Sequence, residues 1–150
     1  MKASQTCLKM LAHHEGVRTK PYKCPAGLWT IGVGHLIGDG HSLPDSWNRT
    51  FTLEEVYDLL AKDVTRFERG VERFISIPLK QCEFDALVSF AFNLGLGTLQ
   101  KSTLRQKLNR GDKEGAIESL LKYNKAGGKI LKGLDNRRKD EAKLFQSGDK

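Results

Sequence analysis

Glu15, Cys24 and Thr30 stand close together in one stretch, HEGVRTKPYKCPAGLWTIGVGH (residues 14–35), and their types suit one kind of chemistry. A carboxyl group can hand a proton to a leaving oxygen, while a thiol and a hydroxyl orient or activate a water on the far side of the bond. Such a division of labour needs firm positioning. Leu8, Leu11 and Ala12 recur at helical spacing, so Glu15 follows a short helix predicted over residues 1–14, with Ser4 or Thr6 as its N-cap. Pro21, Gly27, Gly32 and Gly34, set among Trp29, Ile31 and Val33, predict turn, strand, turn, strand. A helix end thus presents one carboxyl group towards a small hairpin that carries Cys24 and Thr30.

The spacing is Glu, eight residues, Cys, five residues, Thr, and four further blocks accompany it. They are TIGVGH (30–35), FDALVSFAFNLG (84–95), STL (102–104) and YNKAGGKILKGLDNRRKDE (123–141). In these blocks, taken in order from about residue 8 to about residue 146, the chain resembles the phage-type lysozymes, glycoside hydrolase family 24. The resemblance implies an α+β, lysozyme-like fold, mainly helical, with a small β-hairpin lobe and an inter-lobe cleft. It also implies a single domain over residues 1–150, with the β-lobe at about 16–50 and the helical lobe at about 52–150 plus the N-terminal helix. The implied activity is that of an endolysin. It would hydrolyse the β-1,4 bond between N-acetylmuramic acid and N-acetylglucosamine of bacterial peptidoglycan, without a cofactor, and lyse the host cell.

On this reading Glu15 is the general acid. An acid working near neutral pH must keep its proton, which apolar neighbours promote by desolvation, as they do for a lysozyme glutamate held in a hydrophobic pocket. Leu28, Trp29 and Ile31 are available to supply such neighbours. Cys24 occupies the place where many relatives carry Asp, so it is a candidate base, nucleophile or merely a packed thiol. Lys20 and Lys23 lie near enough in sequence to favour its thiolate. Thr30 is expected to hydrogen-bond the water or the sugar. His35 and Asn93 are the expected substrate-side residues. His35 alternatively fixes the hairpin, and Asn93 alternatively makes a local backbone bond at a helix end. His13, His14 and His41 show no ligand spacing, so no metal is expected.

The bulk properties fit one soluble domain with a real core: 150 residues, 39% hydrophobic and 29% charged. A net charge of +7 points to a polyanionic partner, which charge alone does not distinguish between nucleic acid and cell wall. The three cysteines, Cys7, Cys24 and Cys82, form no disulfide framework and are expected to be reduced. No stretch is apolar for long enough to serve as a signal peptide or membrane anchor. The protein is therefore expected in the host bacterial cytoplasm until a separate membrane-permeabilising protein releases it to the wall. No long unmatched apolar stripe suggests an obligate partner, so a monomer is expected.

Further along, T-L-E-E at 52–55 predicts a capping box opening a long helix to about Val71. Helices are also predicted over about 80–92, from Ser102 to about Leu108, from Asp112, and over about 134–145. The broad apolar face of Phe84, Leu87, Val88, Ala91 and Phe92 marks the 80–92 helix as central. Arg138 with Glu141 reads as a structural ion pair.

Two other functions compete. A lytic transglycosylase would share the fold and need one catalytic Glu, but would leave an anhydro product. A non-catalytic basic module for nucleic acid or cell wall would explain the charge and the NRRKDEAK cluster (136–143). No nucleic-acid recognition motif accompanies that cluster, so nucleic acid is not the expected partner.

Overall fold

The computed structural model describes residues 1–149, and for Asp149 the backbone alone. The elements in chain order are helix α1 (Gln5–Glu15), strands β1 (Arg18–Lys23), β2 (Trp29–Gly32) and β3 (His35–Leu36), and helices α2 (Leu53–Asp63) and α3 (Thr65–Phe74). Helices α4 (Gln81–Leu94), α5 (Leu96–Lys101), α6 (Thr103–Asn109) and α7 (Lys113–Leu121) follow. Strands β4 (Lys125–Ala126) and β5 (Lys129–Ile130) then precede helix α8 (Lys132–Gln146). The α+β, mainly helical fold is the one expected. The chain forms two compact units: Leu8–Thr65 is one, and Met1–Cys7 with the chain from Arg66 onward is the other.

In the Leu8–Thr65 unit the three strands form an antiparallel sheet in the order β1-β2-β3. Its register shifts between Arg18 and Tyr22, where Pro21 has no amide proton to offer the ladder. Phe51 returns the chain to the outer side of β1, its amide donating to the Thr19 carbonyl at 2.7 Å. Helix α2 packs on β2 and β3. Ile31, Val33, Val56 and Leu60 are all nearly or fully buried there. Gly32 makes the close approach possible: at φ +70°, a Cβ on it would lie 3.2 Å from Val56 Cγ1. The predicted capping box is present, with Glu55 N donating to Thr52 Oγ1 at 3.1 Å and Thr52 N to Glu55 Oε1 at 3.0 Å.

The long helix expected over 52–71 is interrupted at Val64. The Thr65 hydroxyl donates back to the Ala61 carbonyl at 3.3 Å, a contact that bends helices, and the helical pattern restarts at Thr65.

In the other unit α4 and α8 pack together around α4's buried face. Ser4 caps α1 by accepting from the Cys7 amide at 3.3 Å, and the buried Asp85 accepts from both the Ser4 amide and the Ser4 hydroxyl. Ser102 and Asp112 cap α6 and α7 as expected. The structure adds α5 and the two-residue strands β4 and β5 to the elements predicted.

A buried polar network joins α4 to α8. Glu141 and Arg138 are both fully buried and pair at 2.8 Å (Nε to Oε1) and 3.1 Å (Nη2 to Oε2). The Ser89 hydroxyl donates to Glu141 Oε2 at 2.5 Å, and Arg137 Nε lies 3.4 Å from the same oxygen. Burial pushes the Glu141 carboxyl up and the Arg138 guanidinium down, each against the pull of the other. The expected structural ion pair is thus a four-residue cluster.

Candidate active site

Glu15 is the last residue of α1, where the Gly16 amide closes the helix on the Ala12 carbonyl at 2.8 Å. Its side chain is exposed. Ile31 is fully buried, Leu28 lies against Gly40, and the Trp29 ring carries Lys23 Nζ at 5.3 Å from its centre.

Cys24 opens the turn between β1 and β2. The Gly27 amide donates to the Cys24 carbonyl at 2.7 Å, and the Cys24 amide to the Leu28 carbonyl at 2.9 Å. Pro25 fixes one turn dihedral and Gly27, at φ +79°, supplies the left-handed step that closes this three-residue loop. Continuing the Lys23↔Trp29 register sets Cys24 opposite Leu28. Opposed residues share a face and alternate along each strand, so Cys24 and Thr30 emerge on the same face of the hairpin.

Thr30 is nearly buried, and its hydroxyl donates to the Leu28 carbonyl at 2.9 Å. The Leu28 backbone holds the half-buried Cys24 sulfur below the ordinary thiol value, with help from the Ala26 backbone and the Thr30 side chain. The turn and Thr30 supply this effect. The neighbouring lysines do not, and Lys23 is engaged by Trp29. Cys7 shows the opposite environment: burial first, then Asp85, pushes its thiol far up. All three cysteines are free.

His35 faces α2. Its Nδ1 lies 3.0 Å and 2.8 Å from the two Asp63 carboxylate oxygens, and its ring stacks on Trp47 with centroids 5.8 Å apart. No sequence pattern announced Asp63 or Trp47 as partners of His35, because both contacts are long-range. Asn93 belongs to the other unit, where its Oδ1 accepts from Arg138 Nη2 at 2.8 Å. A concavity of about 340 Å³ on the Leu8–Thr65 unit is lined by Trp47, Arg49, Phe51, Asp58 and Lys62 among others. It contains none of Glu15, Cys24 and Thr30. No helix among the described residues is long and apolar enough to cross a membrane.

A small antiparallel sheet, joined in sequence to a helix ending in Glu15 and followed by helices, makes this a mainly helical α+β protein. The phage lysozyme profile matches residues 12–141, and the chain belongs to the phage lysozyme family. It is 41% identical over 99% of its length to an endolysin of Bacillus phage B103, of which it spans only 56%. It thus covers little more than half of that longer relative. It is 37% identical to an endolysin of Acyrthosiphon pisum secondary endosymbiont phage 1, covering 98% of this chain and 99% of the relative. Among solved structures, the endolysin of Escherichia coli O157:H7 phage FAHEc1 superposes with a TM-score of 0.84 at 34% identity, covering 99% of this chain and 95% of that one.

Proposed function

We propose that this chain is a peptidoglycan hydrolase of the endolysin type. It cleaves the β-1,4 bond between N-acetylmuramic acid and N-acetylglucosamine and uses no cofactor. Glu15 protonates the leaving oxygen, and Cys24 acts on the opposite side of the sugar as base or nucleophile. The observation that carries the reading is the hairpin geometry, which brings the Cys24 sulfur to Thr30 and to the turn backbone on one strand face. A thiol in that setting is biased towards its anionic form, the form that can replace the carboxylate of Asp-bearing relatives.

Thr30 has one hydroxyl proton and two acceptors for it. While Cys24 is a thiol, the hydroxyl donates that proton to the Leu28 carbonyl, as in the structure. Once the thiolate forms, the hydroxyl turns to donate to sulfur, so Thr30 orients and stabilises Cys24 as well as any water beside it. His35, held by Asp63 and Trp47, steadies β3 against α2 and thereby the hairpin. Asn93, its oxygen fixed by Arg138, keeps an amide nitrogen to offer an N-acetyl carbonyl.

Mass spectrometry of the fragments released from purified walls tests the reaction class. Hydrolysis leaves reducing ends that have gained one water. Products lighter by that water, with anhydro ends, would assign a lytic transglycosylase instead.

A further inference from the structure

Between Ser119 and Leu134 the chain carries four lysines, Lys122, Lys125, Lys129 and Lys132, and no acidic residue. Strands β4 and β5 fold this segment into a ribbon, with Lys125 opposite Ile130 and Ala126 opposite Lys129. Its turn is Gly127–Gly128, both at positive φ. The ribbon stands on a firm base. The Leu131 amide donates to the Asn124 carbonyl at 2.9 Å, and Asn124 Nδ2 donates to Asp135 in the first turn of α8 at 3.1 Å. Every residue from Lys125 to Gly133 is exposed, and that includes two neighbouring aliphatic side chains, Ile130 at 63% and Leu131 at 46%.

Strand alternation puts Ile130 with Lys125 on one face of the ribbon and Leu131 with Lys129 on the other. Both faces therefore combine an exposed aliphatic with a flexible cation, around a tip that has no side chains. We infer that the β4–β5 ribbon is a docking element for an anionic phospholipid surface, inserting its tip and aliphatics at the headgroup level while its lysines reach the lipid phosphates. Charge complementarity selects an anionic partner. The aliphatic pair selects a lipid surface over a soluble anionic polymer, because only the lipid offers an apolar medium for Ile130 and Leu131. This docking is peripheral, and it does not depend on the identity of the catalytic residues.

The test is sedimentation of the full chain with vesicles of phosphatidylglycerol mixed with phosphatidylcholine, against vesicles of phosphatidylcholine alone. Binding to the anionic vesicles only is expected. Lys125→Gln and Lys129→Gln should each weaken it about fivefold. Ile130→Ser with Leu131→Ser should weaken it at least about tenfold. These positions are exposed, so the thermal unfolding midpoint should stay unchanged in every variant. Two results overturn the inference: no sedimentation with anionic vesicles, or sedimentation that the lysine variants reduce and the serine variant leaves intact. The second would make the ribbon a pure charge reader, suited to a soluble anionic polymer.

Discussion

Replacing Arg138 by Met probes the buried network that joins α4 to α8. The substitution keeps most of the side-chain volume and removes the cation that lies 2.8 Å and 3.1 Å from the two Glu141 oxygens. Glu141 then retains the Ser89 hydroxyl at 2.5 Å and Arg137 at 3.4 Å, while Asn93 loses its 2.8 Å donor. Removing one member of a buried pair costs about 3–5 kcal/mol, chiefly because a charge is left behind. Two features pull the cost to the low end. Arg137 remains beside Glu141, and the substitution also removes Arg138 Nη1, a donor buried without an acceptor. The expected loss is about 3 kcal/mol. For a chain of this length that is a fall of roughly 6–12 °C in unfolding midpoint. Urea unfolding at neutral pH measures it directly, with an unchanged denaturant slope. Adding Glu141→Leu removes the stranded charge and should recover most of the loss, since an apolar replacement of a buried pair is often neutral. A single variant within about 1 kcal/mol of the parent, or a double variant less stable than the single, would show that the Arg138–Glu141 pair does not hold α4 to α8.

Cysteine reactivity and acid sensitivity give two further predictions. In the folded chain iodoacetamide should modify Cys24 and spare the buried Cys7. The Cys24 rate should rise at a lower pH than for an ordinary thiol, and Thr30→Val should move that profile to higher pH by removing the hydroxyl. An unmoved profile would take Thr30 out of the thiolate's environment. For α2, Arg49 first and then the Thr52 backbone hold the Glu55 carboxyl down at about 2, against an ordinary 4.5. A depressed carboxyl contributes stability above its unfolded value and loses it as pH falls through the folded one. The stability difference between the parent and Glu55→Gln should accordingly be present at about pH 6 and shrink between 4.5 and about 2. A difference that stays constant down that range would contradict the ion-paired capping box.

The parts legible in the sequence are those written in local signals. The T-L-E-E box, Ser102 and Asp112 each open the helix they predict, because a cap is satisfied by amides two or three residues away. The hairpin is legible in part: Gly27 marks its turn as read, whereas Pro21, read as a turn, lies inside β1 at the register shift. What depends on distant partners is not legible. His35 meets Asp63 across 28 residues and Ser89 meets Glu141 across 52, and no periodicity encodes either contact. The interruption at Val64 is hidden too, since Val56 to Phe67 keep an unbroken apolar stripe. At the site, sequence proximity suggests Lys20 and Lys23 as the groups acting on Cys24. The structure gives that task to the turn backbone and Thr30, because strand geometry sends Lys23 to the Trp29 ring.

In the proposed reaction Glu15 delivers the proton to the leaving sugar oxygen. Glu15→Gln keeps size and hydrogen-bonding capacity but has no proton to give. The measurement is the initial rate of turbidity loss in purified peptidoglycan for the parent and this variant at equal concentration, both with unchanged unfolding midpoints. The parent should clear the suspension, and the variant's rate should be lower by about a hundredfold to ten-thousandfold. Equal clearing by the two would remove Glu15 from the mechanism.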